Sequence, residues 1–77
     1  MEKNMSLADI RPGSKAIVNQ IIGGRNLRQK LVNLGMLPGT EVTVVRSNKL
    51  GPMVLNIHNS QIMIGAGMAK RIYVRQK

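Results

Sequence analysis

The chain has 77 residues, twelve Lys or Arg against three Asp or Glu, a formal net charge of +9 and no cysteine. This length supplies one hydrophobic core rather than two, so a single domain is expected over residues 1–77, with its core within about residues 6–75. The lack of cysteine excludes disulfides, thiolate metal sites and cysteine nucleophiles, and the excess of cations implies an anionic partner: nucleic acid, phospholipid or an acidic protein.

Glu2, Lys3, Asn4 and Asp9 interrupt the start of the chain, so no signal peptide is expected there. No stretch approaches the roughly 20 apolar residues that cross a bilayer, and a cytoplasmic location is expected. Ser6 before Leu7-Ala8-Asp9-Ile10 predicts an N-cap and a single helical turn. Arg11-Pro12-Gly13 predicts a turn, and residues 15–22, rich in Ile and Val, predict a first strand that stops at Gly23-Gly24. Leu27, Leu31 and Leu34 then recur at i, i+4 and i+7, the signature of a one-sided helix of about two to three turns.

The stretch from Leu31 to Val45 carries the clearest change of period. Gly35 can adopt the positive φ that ends a helix, and Pro38 cannot continue one. Val42, Thr43, Val44 and Val45 are all β-branched, so a second strand is expected over residues 41–47. Asn48-Lys49-Leu50-Gly51-Pro52 is turn chemistry; Met53, Leu55 and Ile57 then alternate with Val54, Asn56 and His58. Asn59-Ser60 suits a tight hairpin into residues 61–64, Gly65-Ala66-Gly67 breaks that strand, and Met68-Ala69-Lys70 can form one helical turn. Residues 71–75 close the chain with Ile72 and Val74 on one face, and Gln76-Lys77 is expected to fray. The fold class is therefore mainly β: a small, curled antiparallel barrel of about five strands with one short helix between the first and second, curled so that few sheet edges stay open.

In this order, with these glycines, the chain resembles the FeoA family of small ferrous-iron transport accessory proteins. The residues that carry the resemblance are Ser6-Leu7, Pro12-Gly13, Gly23-Gly24, Leu31, the block Leu34-Gly35-Met36-Leu37-Pro38-Gly39, Val42 and Val44, Gly51-Pro52, the strand around Ile62 to Ile64, and Ala69 leading to Ile72 and Val74. The resemblance implies an SH3-like barrel and a cytoplasmic role beside FeoB, the membrane GTP-binding ferrous-iron transporter. FeoA-like modules also end some iron-dependent repressors, so membership alone does not fix an activity. The chain departs from the family pattern at Gly51, where an acidic residue is frequent, and at Gly65, where an arginine is frequent.

Candidate site residues fall in three groups. Arg25, Arg28 and Lys30 cluster around the helix, either as a solvated face or as a patch that faces an acidic region of the transporter. Met36 and Leu37 form an apolar pair. With Gly35 at C′, Met36 stands at C″ and can fold back onto Leu31, while Leu37 is expected to stay partly exposed for a partner. His58 is the one histidine, and only Glu2, Asp9 and Glu41 could join it in a ferrous site, none of them near it in sequence. It is read as an exposed or hydrogen-bonded strand residue sharing a face with Val54 and Asn56, and no metal site or cofactor is expected. The six methionines are scattered, which speaks against a copper(I) site, and Met63 and Met68 are expected to fill core gaps in place of aromatics.

No Ser-His-Asp set, paired carboxylates or phosphate-cradling glycine loop is present, so the chain does not read as an enzyme. The leading expectation is an accessory protein of ferrous-iron uptake that acts by contact with an FeoB-type transporter. The alternative is a small basic barrel binding nucleic acid electrostatically, with only Tyr73 to stack a base. Adhesion to anionic lipid is weaker still, because no basic amphipathic helix of adequate length is present.

Overall fold

The computed structural model describes residues 4–48 and 51–77. Glu2, Lys3 and the Lys49-Leu50 part of the expected turn lie outside the described residues. Six strands are found there: β1 (Asn4–Ser6), β2 (Lys15–Ile21), β3 (Glu41–Arg46), β4 (Met53–Ile57), β5 (Ser60–Ile64) and β6 (Ile72–Gln76). Helix α1 (Arg25–Asn33) joins β2 to β3, and a single turn, α2 (Ala66–Ala69), joins β5 to β6. The strands form one antiparallel sheet in the order β1-β6-β2-β3-β4-β5.

The mainly-β class and the short helix agree with the sequence. The strand count differs by β1, which is only three residues long and pairs with β6 through Met5 and Val74. Helix α1 therefore follows the second strand. The sheet curls but does not close, leaving β1 and β5 as its two ends. Register irregularities between Val18 and Gln20 and between Val44 and Arg46 bend the central strands around the core.

Alternation puts one face of each long strand inside. Ala16, Val18, Val42, Val44, Met53, Leu55, Ile57, Ile72 and Val74 line it, and Leu7 and Ile10 fill one end from the 3-10 turn Leu7–Asp9. Ser6 caps that turn as its sequence predicts, accepting the Ala8 N–H at 3.2 Å and donating to the Ala69 carbonyl at 3.3 Å. Among the methionines, Met36 and Met53 are buried and Met68 packs partly against the core. Met63 does not fill a core gap: it is 66% exposed, because the Leu55–Ile62 register turns Ile62 inward and Met63 outward.

Two Pro-Gly turns bracket the β2–β3 pair. In Arg11-Pro12-Gly13-Ser14 the Ser14 N–H bonds the Arg11 carbonyl at 3.1 Å, and in Leu37-Pro38-Gly39-Thr40 the Thr40 N–H bonds the Leu37 carbonyl at 3.0 Å. Both have glycine at positive φ in the third position, the type II arrangement with proline in the second. The Gly13 N–H reaches the Val44 carbonyl and the Gly39 N–H the Val18 carbonyl, both at 2.7 Å. Each turn is thus bonded onto the strand opposite.

The C-terminal residues do not fray. Gln76 pairs with Ala16, the Lys77 N–H bonds the Lys15 carbonyl at 3.0 Å, and the Lys77 ammonium donates to the Glu41 carboxylate. That hydrogen bond and the accompanying charge of Lys77 hold the Glu41 carboxyl below its ordinary value, outweighing a small opposing effect of desolvation, with a lesser contribution from Lys15. A depressed carboxyl stabilises the fold above its unfolded value, and that contribution disappears as pH falls through the folded one. Both partners are exposed, so the effect is small. Thermal midpoints measured from neutral pH down through the glutamate range should fall more steeply for the wild-type chain than for Lys77→Ala; parallel curves would show that the ion pair contributes nothing.

Candidate functional site

The helix end and the loop after it are built by a Schellman cap. The Met36 N–H bonds the Leu31 carbonyl at 2.9 Å and the Gly35 N–H bonds the Val32 carbonyl at 2.9 Å. Gly35 has φ +91, a conformation that costs a residue with a Cβ about 1–2 kcal/mol. The cap swings Met36 into the core, where it and Leu31 are both fully buried. Leu37 comes next, before the Pro38-Gly39 turn, and is 48% exposed. The two members of the apolar pair are therefore divided: Met36 presents no surface, and Leu37 is the side chain a second molecule can reach.

Leu34 is not part of the buried stripe of α1. The helix ends at Asn33, Leu34 is its C-cap, and the turn leaves it exposed, while Leu31 is buried and Leu27 packs against the core from a half-buried position. Arg25, Arg28 and Lys30 are all exposed. At about 100° per residue, Arg25 and Arg28 share one flank of the helix, whereas Lys30 lies about 160° around the axis from Arg28. A Gln29–Asn33 hydrogen bond of 3.1 Å runs along the ridge between the two flanks. The structure thus brings Arg25 and Arg28 together and separates Lys30 from Arg28. Val32, four residues beyond Arg28, is exposed on the same flank as the arginines. Reading only the leucine spacing passes over it; the Arg25, Arg28, Val32 spacing of i, i+3, i+7 is the signal that finds it.

His58 is exposed but is not a strand residue. It and Asn59 form the two-residue turn between β4 and β5, with φ of +50 and +66, and Ile57 pairs with Ser60 across it. Histidine and asparagine are among the side chains that enter the left-handed region most readily, so this pair can make a type I′ turn without glycine. The imidazole lies over the helix end: a Cβ built on Gly35 would sit 3.6 Å from His58 Cδ2. Among the described residues no three His, Cys, Asp or Glu side chains come together as a metal-binding group. No helix among them is long and apolar enough to cross a membrane.

A curled antiparallel sheet with one short basic helix, a Schellman cap and two strand-bonded Pro-Gly turns is an SH3-like domain. The FeoA domain matches residues 5–76, and the chain belongs to the FeoA family. It is 37% identical over 68 residues to a Methanocaldococcus jannaschii chain that carries the name Fe(2+) transport protein A, covering 88% of this chain and 82% of that one. Its fold matches the crystal structure of an iron uptake regulatory protein (FeoA) with a TM-score of 0.93 and 39% identity, covering 97% of this chain and 100% of the other. A manganese-dependent transcriptional repressor shares the fold alone, at 16% identity and a TM-score of 0.90, over 100% of this chain and 44% of its own.

The cap separates two substitutions that look alike in sequence. Met36→Ala should lower the unfolding free energy by about 2–5 kcal/mol, the range for emptying a packed core position. Leu37→Ala should change it by less than about 0.5 kcal/mol, as at other surface positions. Denaturant titration of both variants checks this, and equal losses would mean that Leu37 is packed rather than presented.

Proposed function

We propose that this chain is a cytoplasmic accessory protein of ferrous-iron uptake that acts by contact with the cytosolic part of an FeoB-type, GTP-binding membrane transporter. Membership of the FeoA family and the iron-transport name of the M. jannaschii relative support the role. Iron is the cargo of the system, and this chain acts on the transporter's assembly or nucleotide cycle rather than by carrying the ion.

The observation that carries the contact is the placement of the helix cations. Arg25 opens α1 and Arg28 follows in its first turn, which holds no acidic residue. The N-cap is Gly24, without a side-chain hydrogen bond. Cations at this end oppose the helix dipole, at a cost of about 0.3–1 kcal/mol each. A local preference broken at two positions, with no nearby acid in the helix to offset it, points to an anion outside the molecule. Arg25, Arg28 and Val32 form the flank that would meet an acidic surface, Leu37 adds an apolar contact at the helix end, and Lys30 widens the positive field on the other flank.

This reading has a test in which stability and binding move in opposite directions. Arg25→Glu should raise the unfolding free energy by about 0.3–1 kcal/mol, because a carboxylate suits a helix N-terminus. The same substitution, and Arg28→Glu, should weaken capture of the transporter's cytosolic part at moderate salt. Binding unchanged by both reversals would sink the proposed contact. An oligonucleotide run in parallel checks the alternative: tight binding that falls steeply with salt would shift the function toward nucleic acid.

A further inference from the structure

From Pro52 through Ala69 the chain contains no Lys, Arg, Asp or Glu, although charged residues flank the stretch on both sides. This segment folds into the β4–β5 hairpin and α2. Strand β5 ends the sheet order and pairs with β4 alone. Natural edge strands are guarded by lysine, proline, a bulge or extreme shortness. The opposite edge, β1, is three residues long. Strand β5 has five residues, Ser60 to Ile64, with no charge, no proline and an unbroken register against β4.

The geometry of that edge follows from the turn. A two-residue hairpin makes Ile57–Ser60 the closing hydrogen-bonded pair, so Ile62 and Ile64 also direct their backbone groups to β4. By alternation the backbone groups of Gln61 and Met63 point away from the sheet. Among the described residues, no other element bonds to that side of β5. The Met63 side chain, on the outer face beside Val54, is 66% exposed.

We propose that β5 is a self-pairing edge, on which a second copy of this chain docks antiparallel about a two-fold axis at Ile62. Charge selects the occupant. Two chains at +9 repel wherever their cations meet, and the charge-free hairpin carries a sheet edge along which two copies can approach without opposing cations. The edge is also self-complementary. With Ile62 opposite its own copy, Gln61 faces the second copy's Met63 in a hydrogen-bonded pair, and the two-fold repeats that pair on the other side. The exposed Met63 side chains then reach toward each other diagonally across the new pair, at about 7–8 Å. The sheet continues through both molecules and the open edge disappears.

This association does not rest on the iron-transport reading, and salt separates the two. Docking of helix cations on an acidic surface weakens as salt rises. Self-pairing of like-charged chains strengthens, because salt screens their net repulsion over about 10 Å at 0.1 M and about 3 Å at 1 M. Sedimentation equilibrium of the whole chain at those two salt concentrations should show a dimer whose association constant rises on the order of tenfold. Met63→Lys should abolish the dimer while matching the wild-type thermal midpoint at high dilution, where both chains are monomeric. Ile62→Cys in a chain without a native thiol should crosslink under mild oxidation, because its position faces its own copy at a Cα separation of about 4.5 Å. Gln20→Cys, on an exposed position of β2, should not.

A monomer at both salt concentrations would overturn the proposal. So would association that weakens with salt, a dimer untouched by Met63→Lys, or crosslinking no faster at position 62 than at position 20. A chain that remains monomeric yet captures an unrelated extended peptide, and loses that capture in Met63→Lys, would assign the edge to a foreign strand and overturn self-pairing as well.

Discussion

The hydrogen bond from the Met36 N–H to the Leu31 carbonyl is the interaction on which the rest of the molecule depends. It forms only because Gly35 can turn into the left-handed region, and it does three things at once. It ends α1 after Asn33, it drives Met36 into a core that has no Phe or Trp, and it aims the chain so that Pro38-Gly39 lands on β2. The neighbouring side chains inherit their exposure from this geometry. Leu34 is lifted out of the buried stripe, Leu37 is left facing solvent, and His58 lies across the helix end.

Much of this was legible in the residues because the signals are local. Gly35 and Pro38-Gly39 announce the end of a helix and a turn, β-branched runs announce strands, and Ser6 announces its cap. What escaped was set by pairing between distant segments. Strand β1 is too short to show alternation and exists because β6 offers it a partner. The Lys77 end is held by Lys15 and Glu41, which no inspection of the last few residues can reveal. The turn at His58-Asn59 lacks the glycine that usually marks a type I′ hairpin, so the alternation of β4 runs visually one residue too far. Moving a two-residue turn by one position shifts the pairing by two, so Ile62 stays opposite a buried β4 residue, Leu55 or Ile57, and it is alternation along β5 that turns Met63 outward.

The candidate surface was legible in part for a related reason. Grouping Arg25, Arg28 and Lys30 by charge alone overlooks their azimuths, which the helical spacing divides between two flanks. The fold cannot supply the function in their place. The same SH3-like architecture occurs in a manganese-dependent repressor at 16% identity, so what distinguishes the two lies in their side chains and not in the fold.

The paired Pro-Gly turns carry a mechanical consequence. Gly13 is bonded to Val44 at one end of the β2–β3 ladder and Gly39 to Val18 at the other, so neither strand can slide without breaking a turn. Helix α1 is suspended from this bracket through a loop whose backbone is already committed to hydrogen bonds at Gly35, Met36, Gly39 and Thr40. There is little slack in such a tether. A displacement of the helix end is therefore passed to β2 through the Gly39–Val18 bond, while the body of the helix is held to the core by Leu31 and the half-buried Leu27.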